Sequence, residues 1–237
     1  MAKSNQDWGV LPHEPIEKLT DHVWRVQGSL PNMSLKRVMT IARRDDGGLV
    51  IHNGICLDEA SMAEIDAWGP VVTIVVPNGY HRLDAKVFKD RYPTAQILCP
   101  SGGREKVAEV VAVDGAYEDL ADDPVVSLET LDGVGAQEGA LIVREPAGVT
   151  VVLNDSVFNM PHARGLAGFI FRYITTSTGG PRISRLFRLL VLKDKAALRQ
   201  HLHRLADLPG LRRVIVSHHR MIEEDAAGVL RRVAADL

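Results

Sequence analysis

The sequence predicts a layered α/β fold, and three observations carry that expectation. Two apolar runs, "PVVTIVV" at residues 70–76 and "AQILCP" at 95–100, lack polar alternation and read as strands covered on both faces. Segments with helical apolar spacing stand before and between them, so strand, helix and strand follow one another. With 237 residues and 46% hydrophobic composition, the chain can bury one substantial core more readily than two small ones.

Each element has its own local reason. "HVWRVQG" and "LKRVMTIARR" predict neighbouring strands of an amino-terminal hairpin, and "RDDGGLVIHNG" supplies turn residues before a short strand, Leu49 to His52. "DEASMAEIDAWG" predicts a helix of about three turns, capped by Asp58, with Met62 and Ile65 on one side and Gly69 beyond its end. "LDAKVFKDRYP" places Leu83, Val87 and Phe88 with helical spacing. From 110 to 159 the pattern changes to short β-like runs separated by Gly, Asp and Pro, where the sheet is expected to become antiparallel. Helices follow in "RGLAGFIFRYI", "RISRLFRLLVL" and "DKAALRQHLHRLADLPG", then a strand, "RRVIVS", and a terminal helix, "EEDAAGVLRRVAADL". "TTSTGGP", residues 175–181, is the segment expected to be a mobile loop. No repeat or composition break divides the chain, so residues 1–237 are expected to form one domain, with 1–19 an irregular extension.

Composition narrows the function. A net charge of -2, from 28 basic and 30 acidic residues, gives no global attraction to nucleic acid. Cys56 and Cys99 form neither a CxxC pair nor a disulfide framework, and buried free thiols are expected. The amino terminus is too polar for a signal peptide and no stretch is apolar enough for a membrane span, so a cytoplasmic protein without an integral membrane segment is expected.

Polar residues follow three of the expected buried strands: Asn78 and His81 after "TIVVP", Asp155 after "VTVVLN", and His218 with His219 after "VIVS". Strand ends bring distant positions together in α/β folds. Imidazole nitrogens and a carboxylate suit a divalent metal, which could activate water for hydrolysis. Plainer roles stand beside this one: His81 capping the following helix, and "LNDS" as an ordinary turn around Asp155. His162 reads as a loop histidine, "SGGR" at 101–104 as a turn, and His201 and His203 face different directions on a helix.

The stretches "LPNMSLKRVMTIARRDDGGLVIHNG", "VVTIVVPNGYHRLDAKVFKDRYPTAQILCP", "VVLND" and "VIVSHH" resemble the metallo-β-lactamase superfamily, particularly a divergent branch with a "PNxxH" segment. The resemblance runs from about residue 20 to the end. It implies an αββα sandwich with a metal site along one edge of two packed sheets. The family's "HxHxDH" motif corresponds to "VPNGYH" here, so Val76 and Asn78 take the places of the first two histidines, Tyr80 that of the aspartate, and His81 retains its type. Asp155 resembles the bridging aspartate and His218 the late histidine. His52 stands where the family often has an aspartate, and is expected to stabilise a sheet edge.

The implied metal ligands are therefore His81, Asp155 and His218, holding one divalent ion (zinc, iron or manganese) for hydrolysis of a small-molecule substrate. Asn78 could add a carbonyl oxygen, and Tyr80 or His219 could support the ligands. The alternative is a noncatalytic binding or structural protein that binds no metal. Arg164, Arg172, Arg182, Arg185 and Arg188 are interspersed with apolar residues in a segment that could cover the site, form a subunit contact or touch an anionic surface. A homodimer is left open.

Overall fold

A computed structural model describes residues 4–162 and 164–237. Strands β1 (Glu17–Lys18), β2 (Val23–Leu30), β3 (Met33–Arg43), β4 (Leu49–His52), β5 (Val71–Val75) and β6 (Gln96–Leu98) form one sheet in sequence order. The first four are antiparallel neighbours, whereas β4, β5 and β6 run parallel because helices connect them. Those helices are α1 (Glu59–Trp68), capped by the Asp58 carboxylate on the Ser61 N–H, and α2 (Ala85–Arg91); α3 (Arg104–Ala108) follows β6.

The second sheet begins with β7 (Val126–Thr130), β8 (Gly139–Glu145) and β9 (Gly148–Leu153), all antiparallel. Pro146 and Ala147 make the tight turn between β8 and β9, and Gly148 closes it at φ 128°, a backbone state other residues rarely adopt. A separate ribbon pairs β10 (Phe158–Met160) with β11 (Gly180–Arg182), and between them lie α4 (Gly165–Phe169) and a π-helical turn over Ile170–Ile174. After α5 (Arg185–Leu190) and α6 (Lys195–Ala206), β12 (Leu211–Val216) joins β9 in parallel, giving the order β12-β9-β8-β7; α7 (Ala226–Ala235) ends the chain.

Strand alternation divides the core into three apolar layers. Val50 and Val75 point inward with Val23 and Val38 to meet Leu141, Val143, Val152 and Ile215 of the second sheet. Leu49, Ile51 and Ile74 point the other way, against Met62 and Ile65 of α1 and Val87 and Phe88 of α2. On the far side, Val151, Leu153, Val214 and Val216 meet Phe187 of α5, Leu198 and Leu202 of α6 and Leu230 of α7. The result is the expected α/β architecture, helices on both outer faces of two stacked sheets. Among the described residues no helix is long and apolar enough to cross a membrane.

The structure corrects several expectations. "TTSTGGP" is not a free loop: Gly180 and Pro181 belong to β11, and Ser177 and Thr178 are buried. Val72 is exposed although β5 is otherwise buried. The expected extension contains β1, which pairs with β2, while a bridge joins His13 to Gly28. His52 lies on β4, an interior strand, not at a sheet edge.

A buried ion pair and a buried histidine both bear on stability. The Arg37 guanidinium meets the Asp84 carboxylate at 2.6 Å with both side chains buried, and Asp84 also accepts from Cys56 N–H and the Asn5 amide. Asp84→Ala therefore strands a buried cation and should cost about 3–5 kcal/mol in urea unfolding. Burial lowers the pKa of His52 to about 3, with His81 adding a smaller repulsive contribution. Between an ordinary value of 6.5 and about 3 the unfolded chain takes up a proton that the folded chain refuses, so stability falls as pH drops through that window. The fall is at most about 1.4 kcal/mol per pH unit. His52→Gln should flatten the acid side of the stability profile relative to wild type, measured by unfolding near pH 7 and pH 5.

Candidate metal centre

The site forms where strand ends of the two sheets meet. Val216 of β12 is in register with Leu153 of β9, so His218 and Asp155, each two residues further on, emerge at the same level. Ala140 opposes Leu153 across the antiparallel pair, which brings Glu138 towards Asp155. In the first sheet His52 is in register with Val75, placing Asn53 beside the turn that carries Asn78 and His81. The sheets are stitched here by a backbone bond from Val38 N–H to the Ser217 carbonyl at 2.8 Å.

His81, Asp155 and His218 converge as the sequence predicts. Their ligand atoms lie within 4.8 Å of one another, close enough to hold one metal ion. Nε2 of His81 is 3.2 Å from Asp155 Oδ2, and Nε2 of His218 is 3.1 Å from Oδ1. The opposite ring nitrogens also face oxygens: His218 Nδ1 lies 2.8 Å from the Lys36 carbonyl and His81 Nδ1 lies 3.2 Å from Asn53 Oδ1. The Asn53 amide is itself fixed by donating to the Val38 carbonyl, and Asn53 takes a left-handed φ of 59° to reach both partners. In a neutral imidazole so held, Nδ1 carries the proton and Nε2 presents its lone pair to Asp155. Two lone pairs aimed at a carboxylate repel it unless positive charge lies among them, as protons on both rings or as a metal ion. Two nitrogens and a carboxylate are a suitable donor set for a divalent ion with a coordination position left open.

Burial raises the pKa of the Asp155 carboxyl, but the charge and hydrogen bonds of the His81 and His218 rings in their protonated form outweigh it and hold the group well below the usual carboxylate range. Glu138 is pushed the opposite way, up from the usual carboxylate range, by burial and by the Asp155 charge, against the hydrogen bonds from Asn78 and Asn154. Asn78 spans the pair, its amide donating to Glu138 at 2.6 Å and to Asp155 at 3.0 Å. Asn78 Oδ1 accepts from the N–H groups of Tyr80 and His81, shaping the turn that presents His81. It is therefore turned away from the metal ligands, contrary to the role of an added carbonyl ligand.

Other candidates find plainer places. His81 does not cap α2, whose first turn begins after Asp84. Tyr80 is exposed, with Lys106 Nζ 4.2 Å above its ring and bonded to its hydroxyl, and takes no part in the cluster. His219, at φ 64°, lies with Nε2 at 3.4 Å from Lys36 N–H, beside the carbonyl that holds His218. His162 meets the Thr178 hydroxyl. His201 is buried on α6 and bonded to Glu129 and Asp132, which ties the helix to the second sheet. Burial pushes the thiols of Cys56 and Cys99 up to about 12 and about 11, leaving both as inert core groups. Sequence reasoning missed Lys36, Asn53 and Glu138; the "IHNG" and "AQEG" strand margins are polar points next to apolar runs, the one signal that could have drawn notice.

The cluster lies at a cavity of about 760 Å³. Glu138 and Asn78 line its polar side, and Leu30, Met33, Phe158, Phe171, Leu186 and Leu190 supply apolar wall. Phe158 stacks on the His218 ring at 5.4 Å and nearly parallel planes.

No protein-family model matches the sequence, and no curated protein matches it either. Solved structures do. The metallo-β-lactamase from Erythrobacter litoralis with β-mercaptoethanol in its active site superposes with a TM-score of 0.59 at 15% identity, covering 94% of this chain and 96% of that one. A second structure of the Erythrobacter litoralis protein gives 0.57 at 14% identity, over 94% and 92% of the two chains. The metallo-β-lactamase from Pontibacter korlensis gives 0.57 at 14%, over 95% and 100%. The fold is thus that of the metallo-β-lactamases over most of the chain.

Glu138 offers a direct check of this hydrogen bonding. Glu138→Gln keeps the shape and the oxygen that accepts from Asn78 and should change stability by less than about 1 kcal/mol, whereas Glu138→Leu strands the Asn78 donor and should cost about 1–3 kcal/mol in denaturant unfolding.

Proposed function

We propose that this chain is a divergent metal-dependent hydrolase holding one divalent ion, zinc, iron or manganese, through His81, Asp155 and His218. It would fall in the metallo-β-lactamase-like branch with PNxxH in place of HxHxDH. The observation that carries the reading is the convergence of two oriented imidazoles and one ionised carboxylate beside a cavity. When bound, the ion supplies Lewis acidity, which lowers the pKa of water towards neutrality and polarises the bond to be cut. The chain's own groups do the rest. The Lys36 carbonyl and Asn53 hold the two rings, Asn78 positions Asp155 and the turn bearing His81, and the apolar wall excludes water around a bound substrate.

A single ion fits better than two. Val76, which replaces the first histidine of the resembled motif, is buried and offers no ligand atom, while Asn78 is committed to its own turn and to Glu138 and Asp155. The same replacement favours a second reading, a noncatalytic binding protein that kept the fold.

Metal content separates the two. Protein made without a histidine tag should carry close to one transition-metal ion per chain by elemental analysis. His81→Ala and His218→Ala should each lower metal affinity at least about tenfold while remaining folded by circular dichroism. Turnover of an ester, thioester or phosphodiester panel should vanish on chelation and return with metal. Failure of wild type to retain any ion after reconstitution would leave the noncatalytic reading.

A further inference from the structure

The helices beside the cavity expose an apolar face that no other element covers among the described residues. Leu166, Phe169, Ile170, Tyr173 and Ile174 recur at the spacing of a buried helical stripe, yet all five are exposed, Leu166 at 77%. On α5, Leu186, Leu189 and Leu190 repeat the pattern, with Leu189 at 72%, while Phe187 faces inward. Eight of the twelve exposed large hydrophobic side chains among the described residues belong to α4, the π-helical turn and α5. The elements are joined: Arg185 N–H donates to the Thr175 carbonyl at 2.7 Å, and Phe171, Leu186 and Leu190 line the same cavity.

Charge is segregated onto the same segment. Between Asp155 and Asp194 the sequence has no acidic residue, but it has Arg164, Arg172, Arg182, Arg185, Arg188 and Lys193. Arg164, Arg172 and Arg185 are exposed, and none of the six forms an ion pair among the described residues. The other residues carry all 30 acidic side chains of a chain whose net charge is -2. A local excess of arginine on a net-acidic protein is a directed electrostatic feature rather than a consequence of composition.

We propose that this face docks on an anionic lipid bilayer, with the leucines and aromatic rings entering the headgroup boundary and the arginines meeting lipid phosphates. Short amphipathic helices with apolar side chains on one face and arginine at the margins suit an interfacial position, and guanidinium pairs with phosphate in a fixed fork. A second copy of this chain fits less well. A two-fold contact sets each patch against itself, and with no acidic residue in the segment it would bring arginine against arginine. Docking would also turn the apolar side of the cavity towards the membrane. The proposal is independent of the metal reading, since it involves none of the three ligands.

Vesicle sedimentation tests it with the full chain. Wild type should pellet with vesicles of equal parts phosphatidylglycerol and phosphatidylcholine, remain in solution with phosphatidylcholine alone, and release as salt is raised. Leu166→Asp with Leu189→Asp, and separately Arg172→Glu with Arg185→Glu, should each lower partitioning at least about fivefold. All four sites are exposed, and an unchanged unfolding midpoint confirms that the variants fold. The proposal is overturned if wild type ignores anionic vesicles or binds neutral ones equally well. It is also overturned if light scattering shows a dimer that Leu189→Asp dissociates, because the face would then belong to a second copy.

Discussion

The constraint on which this molecule depends is that the strands leading to the site, β4, β5, β9 and β12, end in residues buried on both faces. Val50, Val75 and Val38 from one sheet and Leu141, Val143 and Val152 from the other fill the space between them, while helices close the outer sides. Apolar side chains on both faces leave little room for charge in those runs. Polar chemistry is therefore displaced to the strand ends, and the end where β5, β9 and β12 finish collects Asn78, His81, Asp155 and His218.

At that end, the arrangement of charge follows from burial. The Asp155 carboxyl is held low by the two histidine rings bonded to it when they carry protons, while the neighbouring Glu138 is pushed up by burial and by the Asp155 charge. Asn78 can serve both because an amide donates to a charged and to a neutral oxygen alike. The ring orientations come from the first sheet, through the Lys36 carbonyl and Asn53, whereas the Asp155 carboxylate comes from the second. Sliding one sheet against the other would misplace all three ligands together, and the Val38–Ser217 backbone bond opposes that motion.

The cavity adds a contrast of materials. Its floor holds ionisable groups fixed by hydrogen bonds, and its wall is built from apolar side chains, several on helices that leave further apolar side chains exposed. Those helices are short and make few demands on the core: Phe187 anchors α5, and Phe171 is the inward residue of the preceding turn. The sequence between Asp155 and Asp194 can thus vary its outer face without disturbing the sheets, and there it carries arginine and leucine rather than the mixed charge of an ordinary soluble surface.

The order of strands and helices was legible in the sequence because apolar runs and helical spacing are local properties: Leu49 to His52 is the strand expected, and Asp58 caps α1. His81, Asp155 and His218 were legible as well, each standing just past an apolar run. What the sequence could not contain is the relation between runs. Whether β12 joins β9 in parallel, and in which register, depends on long-range packing, and that register decides that Asp155 and His218 share a level. The mobile loop expected at 175–181 failed for the same reason: its composition is that of a turn, but pairing with β10 makes part of it a strand. The roles of Lys36, Asn53 and Glu138 were not legible because their contribution is a position and, for Glu138, a raised pKa. Both arise only when the sheets close over them, remove water and leave each polar atom the few partners the fold supplies.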